Sequence, residues 1–251
     1  GLADDAELRS VLEQVVTLDP TQVAALETLE RMALGTGDRG LLAAVDTRLA
    51  AIEDDAAAQS AYRTRLGRSL EREHPQQALE AYNMALTQEP DNLSAIRGLR
   101  RLSIDRNDTA GLAEACRREA AWTSSARRAA DLLVDSARVL LQRGSDGKAA
   151  VDDLEKALER CPEHVDSADL LVEQLIEHGQ TERLIEVLSR AAEGCTEDNK
   201  ERSAELWSQV AILYADAHQN VAAGVAVLER LLKRDPSHVA SMTTLAELYE
   251  R

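Results

Sequence analysis

Residues 78–90 read ALEAYNMALTQEP and place Ala78, Tyr82, Ala85 and Pro90 at steps of four, three and five residues. Steps of three and four keep side chains on one face of an α-helix, so the first three residues form a stripe. Alanines let a neighbouring backbone approach while the tyrosine fills the gap between them. Pro90 disfavours helix at Glu89 and suits the first turn of another helix. The segment predicts half of a helical hairpin.

The same steps recur. AAVDDLEKALERCP carries Ala150, Leu154, Ala157 and Pro162, AGVAVLERLLKRDP carries Gly224, Leu228, Leu231 and Pro236, and ELRSVLEQVVTLDP carries Leu8, Leu12, Val15 and Pro20. The four prolines are separated by 70, 72 and 74 residues, about twice the 34-residue period of one helical repeat. Composition agrees. Leu, Ala, Glu and Arg dominate, Phe is absent and aromatic residues make up only 2%, which suits thin layers of small helices better than one large core. Val, Ile and Thr never alternate over the length of a strand.

On those residues the chain resembles a tetratricopeptide repeat protein. The family pattern sets a large residue, Leu-Gly and an aromatic on helix A, then Ala, a large residue, Ala and Pro on helix B. Tyr62, Leu66, Gly67, Ala78, Tyr82, Ala85 and Pro90 match it, as do Trp207, Val210, Ala211, Tyr214, Gly224, Leu228 and Pro236. The alternate repeats are looser, with Arg100 and Val172 where Gly or Ala is usual. The resemblance implies an all-α, right-handed superhelical solenoid of antiparallel helix hairpins, about fourteen helices in one domain over residues 1–251. Its expected parts are a lone helix B over 1–19, hairpins over 20–55, 56–90, 91–122, 123–162, 163–195 and 196–236, and a lone helix A over 237–251. Neither end supplies a polar capping helix, so a fragment of a longer array is expected.

Charge and motifs exclude several classes of function. A net charge of −16 argues against nucleic acid or an anionic lipid surface as the main partner. No apolar run reaches the roughly 18 residues that span a bilayer, so membrane insertion is not expected. Cys116, Cys161 and Cys195 are odd in number and lack CxxC spacing, which predicts free thiols rather than disulfides or zinc. Free thiols lean towards a cytoplasmic location, with a periplasmic or envelope-associated parent as the alternative. The preference for Arg and Ala suggests a bacterial coding sequence. GSDGKA at 144–149 is too short for a phosphate loop and reads as an inter-helix turn. His74, His164, His178, His218 and His238 are scattered, but His164 and His238 each follow a repeat proline by two residues and read as helix-start residues rather than metal ligands. The acidic groups Glu53–Asp55 and Asp152–Asp153 lack a third ligand at a suitable spacing and read as solvated or first-turn carboxylates. No enzyme activity and no cofactor are expected.

What remains is surface. The resemblance implies that helix A lines a concave groove, and its ligand-facing positions fall on Arg65, Arg68, Arg72, Arg97 and Arg101 in the second and third repeats. In the fifth and sixth they fall on Asp166, Asp169, Glu173, Glu177, Glu205 and Asp216. Segment charge follows the same division: −8 over residues 1–55, +3 over 56–130 and −11 over 131–251. One subclass of the family grips C-terminal carboxylates with a Lys, Asn, Asn, Lys, Arg clamp. The matching positions, Thr64, Arg68, Gly98, Leu132 and Ser136, do not reproduce it. The expected function is a non-catalytic scaffold holding a peptide or helix of a partner protein, with an acidic segment at the arginines. The alternative is a structural array that self-associates end to end through its terminal helices. A bland role for the arginines stands beside the first reading: they pair with carboxylates on adjacent helices, such as Glu27 or Glu71.

Overall fold

The recurring turn explains where the helices end. In the computed structural model, which describes residues 2–142, 146–217 and 219–250, the helices before the four prolines are α1 (Leu2–Leu18), α5 (Pro75–Gln88), α9 (Gly147–Arg160) and α13 (Val221–Arg234). Each stops two residues before its proline. The helices after them are α2 (Val23–Thr36), α6 (Leu93–Asp105), α10 (Val165–Glu177) and α14 (Val239–Tyr249). Gln22, Asn92, His164 and His238, each two residues past a proline, are the N-caps. The closing bonds repeat as well: the amides of Asp19, Glu89, Cys161 and Asp235 donate to the carbonyls of Val15, Ala85, Ala157 and Leu231. The third residue of every stripe is therefore also the acceptor that ends the helix. His164 and His238 cap alike, each Nδ1 lying 2.7 Å from the hydroxyl of Ser167 or Ser241.

The remaining helices are α3 (Arg39–Ile52), α4 (Ala56–Leu70), α7 (Thr109–Trp122), α8 (Ala126–Gln142), α11 (Thr181–Gly194) and α12 (Lys200–Ala217), making fourteen α-helices among the described residues. Gly144, Ser145, His218 and Arg251, which earlier expectations touched, lie outside those residues. The chain divides into two units, residues 1–122 with α1–α7 and residues 123–251 with α8–α14. Within each unit, consecutive helices pack against one another, α2 on α3, α4 on α5 and α6 on α7 in the first, α8 on α9, α10 on α11 and α12 on α13 in the second. Among the described residues no helix is long and apolar enough to cross a membrane.

The opening stripe belongs to a buried cluster of the first unit that also holds Ile96, Leu99 and Leu102 of α6. Ala78, Tyr82 and Ala85 are fully buried. A Cβ on Gly67 of α4 would lie 2.8 Å from the Tyr82 ring, and one on Gly98 of α6 would overlap it outright. The ring thus fills a slot left by two glycines on two different helices. Its hydroxyl donates to Glu71, and burial followed by that bond raises the phenol pKa far above its ordinary value. In α6 the small residue opposite the aromatic is Gly98 rather than residue 100, where the family pattern would set it. Arg100 instead reaches Glu119 of α7, Nε to Oε2, at 3.0 Å.

Candidate functional site

The five arginines of the expected groove divide into two kinds. Arg65 of α4 is held by Glu30 of α2 and the fully buried Asp46 of α3, its Nε donating to Asp46 Oδ1 at 2.9 Å. Its guanidinium also stacks 5.4 Å from the centre of the Tyr62 ring, a cation–π geometry. Burial pushes the Asp46 carboxyl up, against the downward pull of Arg65. Arg97 donates from Nε to Glu119 at 2.9 Å, and Arg101 to Glu71 at 2.7 Å. Glu71 therefore accepts from both Tyr82 and Arg101, joining the core aromatic to the surface cation.

Three of the five thus make ion pairs within the chain. Glu71 is one of the two partners anticipated from sequence, whereas Glu27 is replaced by Glu30, three residues on. Arg97 and Arg101 nevertheless stay 51% and 50% exposed, and the bond to Glu119 or Glu71 uses one of the five N–H donors a guanidinium carries. Arg68 and Arg72 are exposed and make no ion pair or hydrogen bond among the described residues. Arg68 sits in the last turn of α4, and Arg72 lies in the turn beyond it rather than on the helix. The two do not form the regular i, i+4 helix pair that spacing alone suggests.

In the second unit, Asp166 accepts from Arg138 at 2.6 Å. Asp169 lies 3.9 Å from Arg202, which pairs with Glu205 at 2.8 Å. Glu173 and Glu177 are exposed and make no ion pair among the described residues, and Asp216 is exposed on α12.

Sequence reasoning missed Asp46 and Glu119, the buried carboxylates that organise the arginines. A signal was present. Leu42, Asp46 and Leu49, and Leu112, Cys116 and Glu119, obey the same four and three steps as the apolar stripes, so each carboxylate occupies a core position and needs a cation. The reading of Asp152–Asp153 as a solvated pair is corrected for the same reason. Asp153 is buried and accepts from Ser136 at 2.7 Å, while Asp152 pairs with Arg183 at 3.0 Å. Asp55 caps α4 by accepting from the Ala58 amide, and Asp146 of the GSDGKA stretch caps α9. Cys116 and Cys161 are free and buried, and Cys195 is free and half-buried. Burial pushes the Cys161 thiol up to about 11. Among the described residues, no group of three His, Cys, Asp or Glu side chains could hold a metal ion.

No protein-family model matches the chain, and no curated protein matches it. Solved structures do show likeness. Pseudomonas aeruginosa pilF is 15% identical over 97% of this chain and 99% of its own, with a TM-score of 0.35. The C-terminal part of a TPR repeat-containing protein from Cytophaga hutchinsonii is 13% identical over 96% of this chain and 95% of its own, at 0.42. YrrB, described as a TPR protein with an unusual peptide-binding site, is 15% identical over 73% of this chain and 90% of its own, at 0.35. The fold is all-α, built of stacked helical hairpins, and its solved neighbours include tetratricopeptide repeat proteins.

Proposed function

We propose that the chain is a non-catalytic scaffold whose first unit holds an acidic peptide or helix of a partner protein along α4 and α6. The observation that carries this reading is the pair Arg68 and Arg72, exposed and without an ion pair among the described residues, beside two half-exposed arginines. Carboxylates of the chain orient Arg97 and Arg101 while leaving about half of each side chain exposed. Such pre-organisation lowers the entropy lost when a ligand carboxylate binds. Asp166, Asp169, Glu173 and Glu177 along α10 disfavour the same acidic segment on the second unit, which gives the scaffold charge selectivity between its parts.

Anisotropy of a fluorescein-labelled peptide of alternating Glu and Leu tests the reading. Binding should weaken as salt rises, and Arg68→Gln with Arg72→Gln should weaken it at least tenfold. Salt-independent binding that survives both changes overturns the assignment. Mass that grows with concentration in light scattering, without peptide binding, favours the end-to-end array instead.

A further inference from the structure

The second unit carries an open cleft on another set of faces, and it does not depend on the arginine site. Helix α9 packs on α11, whereas α11 and α13 make no comparable contact among the described residues. Between α11 and α13 the structure leaves two adjoining cavities of about 840 and 710 Å3. Glu193 borders both. The floor is α12, which presents Tyr214 to the first cavity and Trp207 to the second. Seven residues separate the two rings, or about 10 Å along the helix axis. At 100° per residue they share one face of α12, while Glu205 and Asp216 lie on the opposite face.

The two ends of the cleft differ in chemistry. At the Trp207 end the walls are Ala192, Val227 and Leu231, and Lys200 and Arg230 offset Glu193 and Asp235. At the Tyr214 end, Glu182, Glu186 and Glu193 form a stripe along α11, with Arg190 as the one Lys or Arg among the described residues of the lining. Arg190 is already held by Glu186 at 2.8 Å, with Glu159 of α9 at 3.7 Å. Arg183 of α11 is likewise tied to α9, through Asp152 and Glu155. Arg183 thus faces α9, Arg190 stands between α9 and the cleft, and Glu182, Glu186 and Glu193 line the cleft. Glu182 and Glu186 are like charges at i, i+4, an arrangement that local helix stability disfavours.

We infer that this cleft docks a basic amphipathic segment of a partner protein. A large apolar side chain of the segment packs against Trp207, Val227 and Leu231. Lysines or arginines about 10 Å along face Glu182, Glu186 and Glu193. Apolar walls beside an acidic rim match such a segment at both ends, and an acidic segment would meet repulsion at the glutamate stripe.

The chain has two tryptophans, so in a Trp122→Phe background the emission reports on Trp207 alone. The probes are an N-acetylated amphipathic peptide of Leu and Lys and its Leu and Glu counterpart. The Leu and Lys peptide should saturate with a shift in Trp207 emission, and the Leu and Glu peptide should not. Glu182→Lys with Glu193→Lys should weaken binding at least tenfold, with helicity retained by circular dichroism. Glu247→Lys with Glu250→Lys, exposed at the end of α14, makes the same change in net charge away from the cleft and should alter affinity less than twofold. Equal weakening by the two pairs, or an emission that stays fixed, overturns the inference. Neither outcome alters the acidic-peptide titration of the first unit, so the two readings fail separately.

Discussion

Tyr82 and Leu228 stand at the same step of the stripe, four residues after Ala78 and Gly224, and the helices around them close by opposite means. Around Tyr82 the neighbours give way, because Gly67 of α4 and Gly98 of α6 leave room for the ring. Around Leu228 the stripe's own first residue gives way. A Cβ on Gly224 would lie 2.5 Å from the Ala211 carbonyl oxygen of α12 and 3.1 Å from Leu248. Helix α13 thus approaches by backbone contact, with Leu228 and Ala211 both fully buried. What the two hairpins share is a filled interhelical volume, not a residue type at each position.

Overpacking at Gly98 should break the first arrangement most severely. Gly98→Leu should cost about 3 kcal/mol, read as a lower urea midpoint, and Gly98→Ala about 2 kcal/mol. The comparison is sharpened in a Tyr82→Leu background, which imitates the Leu228 step. There the Gly98→Ala penalty should largely vanish, a coupling of about 1 to 2 kcal/mol in a double-mutant cycle. An undiminished penalty would mean that something other than the ring crowds Gly98.

Gly224→Ala should cost about 2 kcal/mol, because the obstacle is a carbonyl that cannot rotate away. Shortening the adjacent side chain with Leu228→Ala should leave that penalty in place. Relief by the shorter side chain would show that α12 and α13 are spaced by Leu228 rather than by Gly224. Tyr82→Phe is milder. It removes one donor from Glu71, which keeps Arg101, and should cost about 1 kcal/mol.

Much of the fold is legible in the sequence because its rules are local. A stripe at four and three steps, a proline five residues on and a cap two residues past it set the ends of eight helices. Gly67 could be read against Tyr82 because both belong to one repeat. Gly98 could not, since its role depends on how α6 lies against α5. The site was legible in residue type and only partly in pairing. Arg65, Arg97 and Arg101 stood out as cations and Glu71, 30 residues from Arg101, as a partner, yet Asp46 and Glu119, 19 and 22 residues from Arg65 and Arg97, hide at core positions. The cleft over Trp207 was invisible for the opposite reason. It arises from a contact that α11 and α13 fail to make, and no local pattern encodes a missing contact.

The smallest expected effect on stability separates the two kinds of arginine. Arg101→Gln removes a 2.7 Å bond to Glu71 from a half-exposed pair and should cost about 0.5 to 1 kcal/mol. Arg68→Gln with Arg72→Gln removes two exposed cations near the C-terminal end of α4. Losing their attraction to the helix dipole costs a few tenths of a kcal/mol at such exposed positions. The urea midpoint should therefore barely move, within about 0.5 kcal/mol, while the acidic peptide is lost. Side chains that cost nothing to remove from the fold, and much to remove from the complex, serve a ligand. A clear drop in stability from that pair would place Arg68 or Arg72 among the structural arginines and leave α4 without a ligand-facing cation of its own.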